Sequence, residues 1–576
     1  MNSKQRIKAY LKIEKRSIFL GTLLCFLYVA CQIAQPFLLG RALDYSKLDN
    51  QQAFVIVLIV CLILTLLGGV FYYIFEVVMG TISQKIIKKM REDIYLKLNR
   101  IPIKEFDNRK QGDMLQLEIR DIENVSQGIF SIFKTVFQGV LTIVLTIIMM
   151  VVANWILAVG VILLSPISVV VSSFVSSFNH KHFKKQASLQ ADVSALSSEA
   201  IGNLDIIQSL NYENQSIDKL ESINKKLIKE GKTALFSASW VNPSTRLVNN
   251  IIYSIIGVAG IIMMAYDIEL GVVFAVMTLG RVSSFLSYTN QYTRPFNDVS
   301  NVFSEYEIAK SSFNRINDFL SLDDDVDNGK TILKKIDSIE IKDLSFSYNK
   351  DRPLIENFSL KINKGNKIAI VGPTGAGKTT IINLIMRFYE PNSGQILING
   401  IDYKEINKSS LREQMGMVLQ DTWVFHGSVL DNIKYTKTDA TIEEVNDACK
   451  RAHVDSFIDA LEKGYDTIIN GKEGLSEGQK QMISIARVML KNPDLVILDE
   501  ATSNIDTRSE LLISKAFDEM MKDKTSIVIA HRLSTIKSAD TIIVMKDGSI
   551  IEIGNHKDLM NKQGFYYDLY MSQYKN

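Results

Sequence analysis

The sequence has few cysteines and no excess of charge of either sign. Its 576 residues include four cysteines, 65 Lys and Arg, and 63 Asp and Glu, which gives a formal net charge of +2. This balance argues against a nucleic-acid surface as the main function. Cys25, Cys31 and Cys61 lie in apolar runs and Cys449 stands alone, without the spacing of a disulfide framework or a metal site. We expect all four to be small buried hydrophobic residues.

Long apolar runs are plentiful in the first half. A helix rising about 1.5 Å per residue crosses a hydrocarbon layer of about 30 Å with about 20 residues. The first five runs reach this length, and the sixth continues past Arg281 through uncharged residues to Thr293. The sequence therefore predicts an α-helical polytopic membrane domain over 1–320 rather than buried helices of a soluble protein. The six predicted transmembrane helices contain the runs 17–40, 51–75, 135–155, 155–179, 247–266 and 270–280. The third and fourth runs meet at Ala153-Asn154-Trp155, which predicts a tight turn between two spans.

The charges between the runs predict the orientation. Lys and Arg are frequent in the N-terminal arm, in 80–130 and in 180–240, but scarce in the short connections. The positive-inside rule places both termini and the two long connections in the cytoplasm. These connections have a helical pattern, so the spans should continue as long helices beyond the bilayer. The first apolar run is too long for the core of a cleavable signal peptide.

Polar side chains recur at helical spacing inside two of the spans. They are Arg281, Ser284, Tyr288 and Gln291 in the sixth, and Tyr28, Gln32 and Gln35 in the first. Arg281 should lie about eleven residues into its span, near mid-depth, where a charge must face protein or water. Two interpretations stay open: hydrogen bonds between helices, or a substrate cavity.

The character of the chain changes after Phe319. Residues 321–337 are acidic and polar without apolar periodicity, which is typical of a linker. From Ser338 onward, short apolar strands alternate with helical segments. This pattern predicts an α/β domain over 338–576.

A phosphate-binding motif lies near the start of this second domain. IAIVGPTGAGKTT, residues 368–380, is an apolar strand, a glycine-rich turn and the start of an apolar helix. The turn's backbone N–H groups can surround phosphates, Lys378 can reach the terminal phosphates, and the Thr379 hydroxyl can bind Mg²⁺. We therefore predict an α/β P-loop ATPase domain that binds ATP and Mg²⁺. The predicted ATP-binding residues here are Gly372, Pro373, Thr374, Gly375, Ala376, Gly377, Lys378, Thr379 and Thr380.

Two adjacent carboxylates end another apolar strand, LVILDE at 495–500. Asp499 should lie at the carboxyl end of that strand, where parallel sheets bind ligands, and should support Mg²⁺ beside Thr379. Glu500 points elsewhere and can polarise the water that attacks the γ-phosphate. The metal and Lys378 would offset the repulsion between the two acids.

Five further motifs carry a family resemblance. GLSEGQKQ at 474–481 resembles the signature motif of ATP-binding cassette (ABC) transporters. In the same order as in that family come Tyr348 in FSYNK, similar to an adenine-stacking aromatic, Gln420, similar to the Q-loop, Asp506, similar to the D-loop, and His531, similar to the switch histidine. Together with the spans, the whole chain resembles a half-transporter of the ABC exporter class.

The resemblance implies two such halves, coupling segments on the long helices, and two ATP molecules held between the nucleotide domains. It implies catalytic roles for Glu500, His531 and Lys378, and metal binding by Thr379, Gln420 and Asp499. The signature residues Ser476, Glu477, Gly478 and Gln479 would contact the partner's ATP. Plainer alternatives are a loop glutamine for Gln420, a surface histidine for His531 and packing for Tyr348. The spacing Ser476-x-x-Gln479 also reads as a helix capping box, and both roles can hold.

One position departs from the family pattern, which has glycine where this chain has Glu477. That departure, and the ending GFYYDLYMSQY, resemble one subunit of heterodimeric bacterial multidrug exporters. Because Glu500 is present, this chain would be the catalytically competent half. We therefore favour a heterodimer with a second half-transporter, with a homodimer as the alternative.

The expected function is ATP-driven, multidrug-type export of a hydrophobic or amphipathic substrate across the cytoplasmic membrane, with the nucleotide-binding domain in the cytoplasm. The expected partners are the second half-transporter, membrane lipid and a small amphipathic substrate, with no nucleic acid. Alternatives are a lipid or lipid-linked flippase and, in a different class, an ATP-gated channel or regulator. A peptide exporter is less expected because no protease-like domain precedes the first span, and the spans exclude a soluble ABC ATPase.

Overall fold

The computed structural model describes residues 3–48, 50–109, 111–266, 277–349, 352–419, 422–469, 475–499, 507–529 and 533–574. The chain divides into two units. The first comprises Met1–Arg100 and Arg109–Asp323, and the second comprises Ile101–Asn108 and Asp324–Asn576. A short segment between two long helices therefore belongs to the second unit.

The first unit is entirely helical in its described part. Two π-helical turns, Leu117–Asp121 and Ile132–Phe137, interrupt its third long helical stretch. The helices up to residue 320, with α4 in the second unit, are α1 (Ser3–Ile13), α2 (Lys15–Lys47), α3 (Gln51–Leu98), α4 (Ile103–Asp107), α5 (Gln111–Gln116), α6 (Ile122–Ser131), α7 (Gln138–Ala153), α8 (Trp155–Gly202), α9 (Leu204–Ser209), α10 (Glu213–Ser239), α11 (Val241–Ala265) and α12 (Leu279–Leu320).

The predicted tight turn between the third and fourth spans is confirmed. α7 ends at Ala153 and α8 begins at Trp155. The side-chain oxygen of Asn154 accepts hydrogen bonds from the backbone N–H groups of Ile156 and Leu157, each at 3.1 Å. An asparagine cap satisfies donors that would otherwise lack partners at the helix start.

The helices pack in a bundle that leaves many large apolar side chains exposed. α2 packs along α3, α12 packs against α2, α6 and α7, and α8 packs against α10 and α11. Large side chains such as Ile59 and Leu66 on α3 stay more than half exposed, as expected of a lipid-facing surface. Among the described residues, four helices are long and apolar enough to span a membrane: Lys15–Lys47, Gln51–Leu98, Gly112–Ala153 and Pro243–Ala265. The count of six spans stays a prediction.

The start of α12 corrects the expected position of Arg281. The helix begins at Leu279, so Arg281 lies in its first turn rather than about eleven residues into a helix. Thr278 caps the helix by accepting from the Arg281 N–H at 3.2 Å, and Asp44 accepts from the Thr278 hydroxyl at 2.7 Å and from the Gly280 N–H at 3.0 Å. The apolar run in the sequence does not show at which residue a cap starts the helix, so the position of Arg281 could not be predicted from it.

The described residues of the second unit form three sheets. Six strands follow the order β12-β11-β3-β10-β9-β6, four follow β2-β1-β4-β5, and β7 pairs with β8. In the six-stranded sheet, all pairs are parallel except β11 with β12. The strands are β1 (Ser338–Phe346), β2 (Ile355–Asn363), β3 (Lys367–Val371), β4 (Ser393–Ile398), β5 (Ile401–Asp402), β6 (Met415–Val418), β7 (Gly427–Ser428), β8 (Ile468–Ile469), β9 (Leu495–Asp499), β10 (Thr525–Ile529), β11 (Thr541–Lys546) and β12 (Ser549–Gly554).

Four neighbouring strands of the six-stranded sheet, β3, β9, β10 and β11, are buried on both faces. In β3, Ala369 and Val371 belong to one hydrophobic core, while Ile368 and Ile370 belong to the other. This double burial explains the continuous apolar runs of parallel strands. The helices are α13 (Lys378–Ile385), α14 (Lys408–Glu413), α15 (Val429–Lys434), α16 (Ile442–Arg451), α17 (Asp455–Ile458), α18 (Glu477–Lys491), α19 (Thr507–Met521), α20 (Leu533–Ser538), α21 (His556–Lys562) and α22 (Phe565–Tyr574), with a 3₁₀ turn at Gly464–Asp466.

Most of the acidic stretch predicted as a linker is packed within the second unit. Asp325 forms an ion pair with Lys408 at 2.5 Å, and Asp327 accepts from the Lys408 backbone N–H at 2.6 Å. Leu333 and Ile336 are buried in the domain core. Asp325 and Asp327 therefore attach this stretch to the surface of the domain. Composition alone does not distinguish such a stretch from a linker.

The cysteines are free thiols, as expected. Cys25, Cys61 and Cys449 are buried, and Cys31 is partly buried. Burial raises the pKa of the Cys449 thiol to about 11, so this thiol stays protonated at neutral pH.

The contact between α2 and α12 depends on glycine. A Cβ at Gly280 would lie 2.0 Å from the backbone oxygen of Gly40, which no side chain tolerates. We predict that Gly280→Ala forces the helices apart and destabilises the bundle by about 1–3 kcal/mol. The matched control is Gly69→Ala on α3, where a Cβ meets nothing within 4 Å. Thermal unfolding of both variants in detergent tests this, and equal midpoints would contradict the close packing.

Candidate functional site

The glycine-rich turn and Asp499 lie at the same edge of the six-stranded sheet. Ile529 in β10 is paired on one side with Ile370 in β3 and on the other with Asp499 in β9. Asp499 is therefore level with Ile370, directly before the turn that follows Val371. The carboxyl edge of a parallel sheet is where α/β proteins bind their ligands.

The turn requires glycine at one position, and its backbone carbonyls bind the side chain of Lys378. Gly377 has φ 92° and precedes α13, and a Cβ there would lie 2.4 Å from Ile355 Cδ1. The Lys378 ammonium donates hydrogen bonds to the backbone oxygens of Gly372, at 2.8 Å, and Pro373, at 3.0 Å. Burial lowers the pKa of Lys378, and the negative charge of Asp499 opposes that shift. A half-buried ammonium bonded to carbonyl oxygens is suited to exchange them for phosphate oxygens.

Tyr348 lies beside the helix that follows the turn. Its hydroxyl is 3.4 Å from Thr380 Oγ1 and 3.3 Å from Asn383 Nδ2, which donates to it. Its ring makes edge-to-face contacts with Phe346 and Tyr389, each with centroids 5.0 Å apart, and 43% of the residue stays exposed. The ring therefore packs on the domain and still offers surface for adenine, so both interpretations of Tyr348 remain.

The signature segment starts a helix, as the capping box predicted. Ser476 caps α18: its hydroxyl accepts from the Gln479 N–H at 3.3 Å, and its own N–H donates to Gln479 Oε1 at 2.9 Å. Glu477 is the first residue of α18, and its carboxylate pairs with Lys480 at 2.8 Å. Gly478 is buried. The extra carboxylate is thus held by a cation on its own helix, a partner that sequence reasoning missed although the i, i+3 spacing indicates it.

Four predicted site residues lie outside the described part of the chain. These are Gln420, Glu500, Asp506 and His531. Their roles stay predictions.

In the first unit, three polar side chains of α12 bond to the backbone of α2. Ser284 donates to the Pro36 oxygen at 2.7 Å, Tyr288 to the Ile33 oxygen at 3.0 Å, and Gln291 to the Gln32 oxygen at 3.4 Å. Pro36 has no N–H, so the Gln32 carbonyl, four residues earlier, lacks its helical partner. Ser284 and Tyr288 are buried and so take the interhelical role that was one of the two alternatives.

Residues of α2 and α12 also line a cavity of about 260 Å³. Gln291, Tyr28 and Gln32 line it, as the substrate-cavity interpretation expects. Arg281, Ser284 and Tyr288 instead line a separate cavity of about 30 Å³, together with Asp44. Sequence reasoning missed the other residues of the larger cavity, although two of them, Lys134 and Arg294, are charges at the ends of apolar runs. Tyr72 and Gln138 are also among those missed.

Comparison with known proteins adds to this geometry. Residues 18–296 match the family model of the ABC transporter transmembrane region, and residues 355–503 match that of the ABC transporter ATPase domain. The ABC transporter ATP-binding protein YfiC of Bacillus subtilis is 35% identical over 580 residues, covering 99% of this chain and 94% of that protein. The chain belongs to the ABC transporter family.

Other similar proteins are named for different cargoes. A fatty acid ABC transporter ATP-binding/permease protein of Mycobacterium bovis is 33% identical over 92% of this chain and 82% of its own length. A putative multidrug export protein, YgaD of Bacillus subtilis, is 31% identical over the full length of both. The solved structure of a bacterial Atm1-family ABC exporter with ATP bound is 25% identical and has a TM-score of 0.79, covering 98% of this chain and 99% of that one.

The predicted class is thereby confirmed. This ABC transporter is an exporter half-transporter, with a helical membrane domain fused to an α/β ATPase domain that binds and hydrolyses ATP to drive transport. Exporters of this family work as dimers of half-transporters. The chain is a multi-pass membrane protein whose ATPase domain is cytoplasmic.

Lys378 and Tyr348 should contribute unequally to nucleotide binding. Lys378→Ala removes a charge-assisted contact to phosphate and should weaken ATP binding about 10- to 100-fold. Tyr348→Ala removes only ring contact and should weaken it about 2- to 10-fold. Lys361→Ala, on the exposed side of β2, is the control and should bind ATP normally. Equilibrium binding to the purified variants tests this, and unchanged affinity in both site variants would contradict the site.

Proposed function

We propose that this half-transporter exports an amphipathic substrate with an anionic head group across the cytoplasmic membrane, within the broader class of multidrug-type efflux. The observation that carries this proposal is the charge of the 260 Å³ cavity. Two cationic side chains, Lys134 and Arg294, line it, and no carboxylate does among the residues that the structure describes. A charge inside a membrane protein is costly unless it serves a partner or a ligand.

The cavity wall has both polar and apolar parts. Lys134 is paired with Glu76 at 2.7 Å, and Arg294 of α12 also lines the wall. The side-chain oxygens of Gln32 and Gln291 are buried and lack a hydrogen-bond donor among the described residues. Tyr28 and Tyr72 pack with ring centroids 4.8 Å apart and supply apolar surface. Such a wall suits a ligand with an anionic group, hydroxyl or amide donors, and an apolar body.

ATP supplies the driving force at the sheet edge. Lys378 would bind the terminal phosphates, and Thr379 and Asp499 provide the hard oxygen donors that Mg²⁺ prefers. When bound, Mg²⁺ neutralises charge on the phosphates. In the proposed cycle, Glu500 orients the attacking water and His531 and Gln420 complete the site. The signature helix, from Ser476, closes on the ATP of the partner.

Lipid export is a second candidate, favoured by the cationic cavity. One similar protein is named an ATP-dependent lipid A-core flippase, from Saccharophagus degradans, and is 30% identical over 89% of this chain and 86% of that protein. Together with the fatty acid transporter, this makes an anionic lipid a specific alternative to a drug. Carboxylates and phosphates are both anionic groups that arginine binds.

The charge proposal is tested with two probes that differ in one group. Purified protein in liposomes should move a fluorescent fatty acid in an ATP-dependent way, and should move the uncharged methyl ester of the same probe several-fold more slowly. Arg294→Gln should remove most of this difference, because it deletes a cation from the cavity wall. Arg246→Gln, an exposed arginine that does not line this cavity, is the matched control.

Glu500→Gln should abolish the ATP-dependent movement of both probes. Any probe movement that remains in this variant is passive leakage. Equal transport of the acid and the ester by the unaltered protein would contradict the anionic substrate. If the probe stops moving once its concentrations on the two sides of the membrane are equal, and does not accumulate on one side, the result would favour an ATP-gated channel.

We propose further that the functional unit contains a different half-transporter as partner. α9 is well exposed: Leu204 and Ile206 are each 52% exposed, and Leu210, which follows it, is 70% exposed. Such an apolar patch at the end of a long helical connection favours coverage by another chain. Glu477, in place of glycine, favours an asymmetric pair, in which this signature serves the weaker of two ATP sites. The ion pair with Lys480 moderates the repulsion between Glu477 and phosphate without restoring the glycine.

Glu477→Gly separates the two assemblies. In a heterodimer this variant should change total ATPase activity less than about twofold, because the site built on Lys378 and Asp499 uses the partner's signature. In a homodimer both sites contain Glu477, and activity should rise several-fold. ATPase assays on a preparation whose chains are identified by mass spectrometry decide between them. Lys480→Ala is the companion variant, since it frees the carboxylate and should have the opposite effect to glycine.

A further inference from the structure

We infer that a second cavity, beneath α1, binds one acyl chain of an anionic membrane lipid. This space, which we call the α1 cavity, lies in the first unit between α1, α3, α6 and α12 and has a volume of about 260 Å³. Among the described residues, none that lines it also lines the cavity of Gln32 and Gln291. The bound lipid is therefore distinct from the transported substrate.

The wall of the α1 cavity is mostly apolar. Ile7 and Leu11 of α1 line it, together with Met90 of α3, Ile129 of α6 and Phe313 of α12. An apolar cavity of about 150 Å³ inside a protein excludes water and binds benzene. The α1 cavity is larger and similarly lined, so a hydrocarbon segment fits it better than water does.

Two of the helices around the α1 cavity are fixed to each other. A Cβ at Gly128 of α6 would lie 2.2 Å from Ala309 Cβ of α12, so the two helices are in close contact there. Nearby, Asn124 Nδ2 of α6 donates to Ser312 Oγ of α12 at 3.0 Å. Because close-packed helices resist compression, the cavity beside this contact keeps its shape.

Polar bonds on two sides of the α1 cavity attach α1 to the bundle. The Tyr10 hydroxyl donates to Asp93 Oδ2 of α3 at 2.7 Å, and the Ser3 hydroxyl donates to Asn314 Oδ1 of α12 at 3.1 Å. Burial raises the pKa of Tyr10, as does the neighbouring Asp93, so its hydroxyl remains a donor at neutral pH. α1 thus covers an apolar space that its own side chains do not fill.

The α1 cavity lies at the depth of the cytoplasmic head groups. α12 begins at Leu279 and leads into the ATPase domain, which is cytoplasmic. At about 1.5 Å per residue, Tyr306 in the cavity wall is about 40 Å from that beginning, and a bilayer with its head groups is about 40–45 Å thick. α1 is followed directly by α2, whose Phe19 and Leu20 are 70% and 48% exposed. An acyl chain of the inner leaflet can therefore reach the cavity from the adjoining lipid-facing surface.

The charge around the cavity favours an anionic lipid over a neutral one. α1 has the sequence SKQRIKAYLKI, with four cationic residues and no acidic one. Lys310 of α12 also lines the cavity, and its exposed ion pair with Glu307, at 3.2 Å, is of the weak kind that a phosphate can replace. Basic segments beside a membrane attract anionic lipids. A lipid with an apolar chain and an anionic phosphate therefore matches both the wall and the charges around it.

Photochemical labelling of the full-length protein in nanodiscs tests this site. The probe is phosphatidylglycerol with a diazirine in one acyl chain, and labelled peptides are identified by mass spectrometry. Peptides covering 3–13 and 125–133 should be labelled. Phosphatidylcholine with the same diazirine chain, at the same mole fraction, should label them several-fold less, because it lacks a net negative charge.

Filling the cavity should block the probe. Ile129→Trp places a larger side chain in the cavity wall and should reduce labelling of both peptides several-fold. Ile119→Trp is the matched control, since Ile119 is 66% exposed and does not line the cavity, and it should be labelled like the parent. Equal unfolding midpoints of the two variants in detergent establish that the larger side chain leaves the fold intact.

Removing the cation should change lipid preference without filling the cavity. Lys310→Gln should reduce the preference for phosphatidylglycerol over phosphatidylcholine several-fold. Lys225→Gln is the control, because Lys225 also pairs with a glutamate on its own helix, Glu221 at 2.8 Å, but lies on α10. Arg294→Gln, in the other cavity, should leave labelling of both peptides unchanged.

Undiminished labelling in Ile129→Trp would overturn the site, and equal labelling by the two lipids in the unaltered protein would overturn its preference for an anionic head group. Loss of labelling in Arg294→Gln would place the lipid in the substrate cavity instead. If Ile129→Trp unfolds, Lys310→Gln decides alone, since it changes an exposed side chain, and an unaltered lipid preference in that variant would overturn the proposal.

Discussion

Burial of both faces of the six-stranded sheet is the constraint on which the nucleotide site depends. β3 and β9 send alternate side chains into two separate cores, so neither strand can slip by one residue without exchanging its buried faces. That fixed register holds Asp499 level with Ile370, next to the glycine-rich turn. The chemistry of the site therefore depends on residues that never touch nucleotide.

In the membrane unit, the contact between α2 and α12 also depends on particular residues. Pro36 leaves a carbonyl of α2 without its helical donor, and side chains of α12 bond to the backbone around it. In an apolar surrounding, an unpaired backbone group is costly. These hydrogen bonds between α12 side chains and the α2 backbone therefore fix where the two helices meet. The same two helices border the cavity that Gln32 and Gln291 line.

The segment 101–108 lies between two long helical stretches and yet belongs to the ATPase unit. Tyr389 and Asp107 are far apart in sequence, and the hydrogen bond between them requires that the segment between α3 and α5 be folded onto the domain that contains Tyr348.

The sequence by itself determined the family, the two-domain order, the phosphate turn, the tight turn at Asn154 and the capping box at Ser476. These features rest on local spacing, and neighbours in the chain suffice to make them. Only the tertiary structure decided that Ser284 and Tyr288 bond to α2, that Arg281 lies in the first turn of a helix, and that Asp325 and Asp327 anchor the acidic segment. Periodicity places a polar residue on a face but not against a partner. What each side chain meets depends on helix packing between positions distant in the chain.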